Sequence, residues 1–192
     1  NFDYSKFEIT LYSNKKEVLY ENYYPNNIKY NYIFETIPQK SKFKSFCCKF
    51  KNKIKLWVYY NYNTQIFYKL FIHKKYDIGI AFIEGYSTRL VAGMPNNTPK
   101  IAWVHTDMIH NHWTPISFRN NTEEKELYQK FQKIICVSDI VKKNLDTLYN
   151  THNKTSIIYN PIDRNHIINL SKINTSAFPK SPSRKRIITL GS

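Results

Sequence analysis

Glycine is scarce in this sequence. Gly79, Gly85, Gly93 and Gly191 are the only four, too far apart to build a glycine-rich loop that cradles phosphate. Cysteine is scarcer still. Cys47, Cys48 and Cys136 form neither a disulfide framework nor a zinc knuckle, and an odd count suits a reducing compartment. No stretch approaches the roughly 18 uninterrupted apolar residues of a membrane span. The opening Asn1-Phe2-Asp3-Tyr4 lacks the charged-then-apolar order of an export signal. These absences exclude a disulfide-stapled secreted domain and an integral membrane protein. The expectation is a soluble, cytoplasmic chain, unexported or cut from something longer.

Acidic residues are also few: 14 Asp and Glu stand against 29 Lys and Arg, a formal charge of +15 over 192 residues. Of those cations 24 are Lys, and the chain is crowded with Asn, Ile and Tyr, residues with AT-rich codons, so base composition accounts for part of the excess. The remaining field favours anionic partners: nucleotides, nucleic acid or anionic lipid. A hydrophobic content of 42% and an aromatic content of 16% suffice for a packed core and exclude a disordered basic tail.

Seven β-rich runs recur, at 7–12, 28–34, 76–82, 100–105, 133–138, 154–160 and 186–191. Ile78-Gly79-Ile80-Ala81-Phe82, Ile101-Ala102-Trp103-Val104 and Ile134-Ile135-Cys136-Val137 are continuously apolar, as strands covered on both faces by helices would be. Helix-length segments lie between them. One opens at Asn121 with Glu124 in capping-box spacing, another at Ser138-Asp139. Strand and helix alternate, which predicts an α/β fold, a Rossmann-like doubly wound parallel sheet. Residues 174–185, with Pro179, Pro182 and a basic end, read as a linker, and 186–192 as the first strand of a further domain.

In parallel sheets, ligands bind beyond the carboxyl ends of the strands. The residues there are Glu84-Gly85, His105-Thr106-Asp107, Ser138-Asp139 and Asn160-Pro161-Ile162-Asp163. Gly85 could let backbone approach a ligand, or simply make a tight strand-to-helix turn. Ser138 and Asn160 suit capping and turn formation as well as ligand contact, and Asp107 suits a turn as well as an acceptor hydroxyl.

The blocks Lys100-Ile-Ala-Trp-Val-His105-Thr-Asp107, Phe131-Gln-Lys-Ile-Ile-Cys-Val-Ser138-Asp139, Ile157-Ile-Tyr-Asn160-Pro-Ile-Asp163 and Ile187-Ile-Thr-Leu-Gly191 occur in the order and spacing of the family 4 retaining glycosyltransferases of the GT-B fold, which the chain resembles from about Tyr76 onward. The resemblance implies the N-terminal, acceptor-side half of such an enzyme: residues 1–173 an incomplete domain lacking its first strand, 174–185 an interdomain linker, and 186–192 the start of the nucleotide-sugar-binding domain. It implies transfer of a hexose from a nucleotide sugar to a glycan or lipid-linked acceptor in surface-polysaccharide synthesis. No metal or cofactor is expected, and these 192 residues alone would be inactive. His105 would be the catalytic residue, reaching the donor sugar or its phosphate, with Glu84, Gly85, Asp107, Ser138 and Asn160 binding substrate.

His105, Asp107, His110 and His112 carry ligand-type side chains in a spacing that matches no familiar metal motif. At 100° per residue, Phe43, Phe46, Phe50, Ile54 and Trp57 share one helical stripe between Lys42, Lys49 and Lys53 on one flank and Lys44, Lys51 and Lys55 on the other. That pattern fits a helix on an anionic membrane at the inner face of the bilayer. It equally fits a crossover helix packing its stripe on the sheet, which is the default expectation. The rival class is a non-catalytic basic domain binding nucleic acid or membrane. No nucleic-acid motif is present and the lysines are widely spread, so no nucleic-acid partner is expected.

Overall fold

Six of the seven expected strands fall within residues 3–15, 25–38 and 41–173, which the computed structural model describes. All six form: β1 (Ile9–Ser13), β2 (Ile28–Tyr32), β3 (Gly79–Ala81), β4 (Lys100–Val104), β5 (Lys133–Cys136) and β6 (Thr155–Ile157). The seventh, at 186–191, and the expected linker lie outside the described residues. Helices α1 (Lys42–Asn61) and α2 (Thr64–Phe71) follow β2; α3 (Tyr86–Ala92), α4 (Asn121–Tyr128) and α5 (Asp139–Tyr149) follow β3, β4 and β5. By its internal contacts the chain divides into Asn1–Tyr159 and Asn160–Ser192, and the second unit contains α6 (Arg164–Ser171), capped by the Asp163 carboxylate accepting from the His166 N–H at 2.9 Å.

The first unit is an α/β structure. Strands β3-β4-β5-β6 form a parallel sheet in sequence order, with Ala81 beside Ala102 and Val104 beside Cys136, so the carboxyl ends of the strands are level. A separate parallel pair, β1-β2, does not join it. Between β1 and β3 lies a cavity of about 680 Å³, lined on one side by Thr10, Tyr12 and Asn14 and on the other by Ile78, Ile80 and Phe82.

Two apolar clusters hold the unit together. One joins the sheet to α3, α4 and α5 through Ala81, Ala102, Val104, Ile134, Leu127, Tyr128 and Leu145. The other joins β2, α1 and α2 through Ile33, Val58, Tyr59, Phe67 and Ile72, and Val91 packs against both. The expected cover on both sheet faces is not found in full. Along β3 and β4, Gly79, Ala81, Lys100, Ala102 and Val104 are buried, whereas Ile80 and Phe82 are exposed and Ile101 and Trp103 only partly covered. The helices α1 to α5 each contact the next, and that second face stays exposed along β3, while Ile135 of β5, beside Trp103, is buried on it.

Helix α1 overturns the default reading of its stripe. Its N-cap Ser41 accepts from the Lys44 N–H, and the helix runs 20 residues with six lysines and no acidic residue. The side turned inward carries Cys48, Asn52, Lys55 and Tyr59. Asn52 Nδ2 donates to the Glu35 carbonyl at 2.8 Å and its Oδ1 accepts the Glu35 N–H at 3.0 Å, while Lys55 Nζ donates to the Ile33 carbonyl at 2.8 Å. Phe43, Phe46, Phe50, Ile54 and Trp57 face outward, Phe43 with 76% of its surface exposed and Phe46 with 68%. Polar side chains satisfied by the β2–α1 connection took the inner face, so the apolar stripe was left on the other.

The cap of α4 also differs by one residue. Asn120, not Asn121, caps the helix by accepting the Glu123 N–H at 2.8 Å, and Glu124 is buried elsewhere instead of completing a capping box.

Candidate functional site

Because the strand ends are level, the turns after β3 and β4 meet. Glu84, 2% exposed, accepts the backbone N–H of His105 at 3.0 Å with Oε2, and with Oε1 the Thr106 hydroxyl and, more weakly, the Trp113 indole N–H at 3.4 Å. Both carboxylate oxygens are therefore engaged by the next loop. Expected as a substrate ligand, Glu84 is placed to position His105.

The His105 ring lies 5.5 Å from that of Phe82, which lies 5.4 Å from Trp103. These three rings line the open sheet face at its carboxyl edge. The His105 side chain is 26% exposed. Its Nδ1 is buried, has no hydrogen-bond partner among the described residues, and stands 3.8 Å from Glu84 Oε2, too far for a hydrogen bond.

Gly85 has φ +81° and ψ −117°, a conformation open essentially to glycine, and a Cβ there would meet Ser117 Oγ at 2.8 Å and the Trp113 ring at 3.0 Å. Its role is to let the loop bearing Trp113 close over the turn.

Asp107 turns away from His105. Its Oδ1 accepts from Asn144 Nδ2 at 2.8 Å and from the Ile109 N–H at 3.0 Å, and its Oδ2 lies 2.7 Å from His110 Nδ1. The Asn144 bond first, then His110 and the turn amides, hold the Asp107 carboxyl well below the usual carboxylate range. Its geometry is that of a turn anchored to α5.

Ser138 caps α5, its hydroxyl accepting the Val141 N–H at 3.3 Å. Asn160 is exposed and opens the second unit.

The histidines of the loop do not converge. His110 faces Asp107, while His112 Nε2 lies 2.9 Å from Glu124 Oε2 and 3.2 Å from the Tyr149 hydroxyl. Among the described residues no group of three or more His, Cys, Asp and Glu side chains is arranged to hold a metal ion.

Sequence reasoning placed Thr106 among the strand-end residues but did not single out Trp113, Asn144 or Phe82 as parts of this site. Asn144 alone carried a local signal, as an amide on the buried side of an amphipathic helix.

The family model described as Glycosyltransferase Family 4 matches residues 46–166, which include every one of these site residues. The chain belongs to Glycosyltransferase Family 4. No curated protein and no solved structure matches it. The family match spans from α1 into α6 and agrees with the parallel α/β sheet. A glycosyltransferase domain implies a sugar donor and an acceptor as substrates. Among the described residues no helix is long and apolar enough to cross a membrane.

Proposed function

We propose that this chain is the acceptor-side half of a retaining GT-B glycosyltransferase, moving a hexose from a nucleotide sugar to a glycan or lipid-linked acceptor in surface-polysaccharide synthesis. The observation that carries the reading is His105, anchored at a strand end through its backbone by buried Glu84, with its Nδ1 turned inward toward that carboxylate and its ring still 26% exposed at the edge. The cavity between β1 and β3 supports the GT-B half, because it separates two parallel strand systems by room for a further strand.

In the reaction, the bond from the anomeric carbon to the diphosphate breaks and the nucleoside diphosphate leaves with the electron pair. The acceptor oxygen bonds to that carbon and its proton passes to the departing diphosphate oxygen. His105 donates a hydrogen bond where charge gathers on the donor, and Glu84 fixes its place through the 3.0 Å bond to its backbone N–H. Phe82 and Trp103 offer flat apolar faces to a sugar ring. No resident metal or cofactor takes part.

The cations that neutralise the leaving diphosphate belong to the other wall of such a cleft, so the 192 residues alone neither bind donor tightly nor transfer sugar. Isothermal titration of this chain with nucleotide sugars should show no saturable binding below millimolar concentration. Micromolar binding or measurable transfer would overturn the half-enzyme reading. The same chain joined to a donor-binding half should release nucleoside diphosphate when given acceptor, with the product anomer matching the donor's by NMR. An inverted product would remove retention, and absence of release with every donor would remove the transferase reading.

A further inference from the structure

The outward face of α1 is unusual for a helix in a parallel α/β unit. The inward residues Cys48, Asn52, Lys55 and Tyr59 and the outward residues Phe43, Phe46, Phe50, Ile54 and Trp57 lie on opposite sides of the helix. The outward five extend over about 21 Å of helix at 1.5 Å per residue. This is a continuous apolar strip that the described residues leave between 42% (Ile54) and 76% (Phe43) exposed.

The two lysine flanks are unequal. Lys55 is bound to the Ile33 carbonyl and Lys51 lies 3.5 Å from Glu35, so one flank is partly tied to the protein. On the other flank, Lys42, Lys49 and Lys53 are exposed and have no hydrogen-bond or ion-pair partner among the described residues.

We propose that this face of α1 docks on an anionic lipid bilayer, with the aromatic strip entering the interface and Lys42, Lys49 and Lys53 meeting the headgroups. Charge complementarity selects the occupant: six lysines and no carboxylate along the helix need an anionic surface, and five large apolar side chains between them need a hydrocarbon one. A nucleic-acid backbone satisfies the lysines and leaves Ile54 and the phenylalanines unsatisfied. The helix end also reaches the candidate site. Tyr59 and Tyr60 donate to the carbonyls of Ser117 and Ile116, in the loop that carries Trp113. Docking through α1 therefore holds that loop near the bilayer, where a lipid-linked acceptor resides. The vesicle binding itself does not depend on the transferase reading.

The test is co-sedimentation of the full chain with phosphatidylcholine vesicles containing 30% phosphatidylglycerol, and with phosphatidylcholine alone. Binding is expected only to the anionic vesicles. Phe46→Ser with Phe50→Ser, and separately Lys42→Gln with Lys49→Gln and Lys53→Gln, should each weaken it at least tenfold with unchanged circular dichroism. Lys125→Gln with Lys130→Gln and Lys143→Gln, the same charge removed elsewhere, should change it less than twofold. Quenching by brominated lipid, lost in Trp57→Tyr, reads insertion in a protein whose phenylalanines are intact. The proposal is overturned if the wild type does not bind, if both lysine triples lose binding equally, or if the phenylalanine pair leaves binding unchanged. It is also overturned if sedimentation velocity shows a dimer that the phenylalanine pair abolishes, which would make the strip a contact between copies of this chain.

Discussion

The Glu84 carboxylate and the His105 backbone N–H are joined by a 3.0 Å hydrogen bond between two turns at the carboxyl edge of the sheet. Since the same carboxylate takes the Thr106 hydroxyl, the direction of the chain leaving β4 is set by a side chain leaving β3. Under the proposed function, Glu84 would position His105, and His105 would be the group presented to substrate.

Glu84→Ala should strand the part-buried His105 N–H, Thr106 hydroxyl and Trp113 indole donors, at a cost of about 2–3 kcal/mol. Thermal melting should show a fall of several degrees. In a transfer-competent protein, turnover should drop at least tenfold, with Glu84→Gln, which keeps an acceptor oxygen, recovering part of both losses. His105→Ala should lower turnover at least tenfold while leaving the melting temperature nearly unchanged, and a chelator should leave turnover as it was.

Gly85→Ala forces a Cβ into the space of Trp113 and Ser117 at a positive φ. A loss of about 1–3 kcal/mol is expected. Tryptophan fluorescence should shift as the indole is displaced, and a variant with wild-type stability and emission would show that the turn is not under this constraint.

Arg89 is fully buried, with its guanidinium donating to the Tyr59 and Tyr62 carbonyls and to Glu123 Oε1 at 3.1 Å, stacked 4.1 Å over the Tyr59 ring. Burial would raise the Glu123 pKa, but bonds from the Arg119 N–H and Arg89 outweigh it and hold the carboxyl below its usual value. Arg89→Met leaves buried carbonyls unpaired and should cost about 3–5 kcal/mol in urea unfolding. Arg89→Lys keeps the charge and loses the planar fork, so it should fall between the two.

Asp146 is 2% exposed and accepts from Lys142 Nζ at 2.6 Å and from the Thr151 and Thr155 hydroxyls at 2.8 Å. Burial pushes its pKa up, yet these bonds win and leave it lowered. Its unfolded form therefore takes up a proton first. The stabilisation is complete above the ordinary aspartate value and declines as pH falls through the folded one, so unfolding free energy should drop steeply below about pH 4. Asp146→Asn should be less stable at neutral pH and show a shallower acid limb; an acid limb identical to wild type would assign the loss to other carboxylates.

The strands were legible because β-branched and aromatic runs stand between turn residues, and parallel pairing follows once helices separate them. Helix α1 was legible as a helix but its orientation was not. A projection reveals which side chains share a stripe; that Asn52 and Lys55 would find carbonyl partners at Glu35 and Ile33 depends on a loop the projection does not contain. At the candidate site, the position of His105 just after a strand was legible. The roles of Glu84 and Asp107 were not, because their partners His105 and Asn144 lie 21 and 37 positions away and only the folded sheet brings them together.

The separation of β1-β2 from the main sheet bears on the order in which the chain folds. The pair is held by longer-range contacts, among them the Tyr12 and Tyr76 hydroxyls 3.0 Å apart across 64 positions. Closing so long a loop is favourable only after α1, α2 and β3 have already assembled a surface to receive it. Pulse-labelled amide exchange during refolding should then find β4 and β5 protected early, and β1 and β2 last of all.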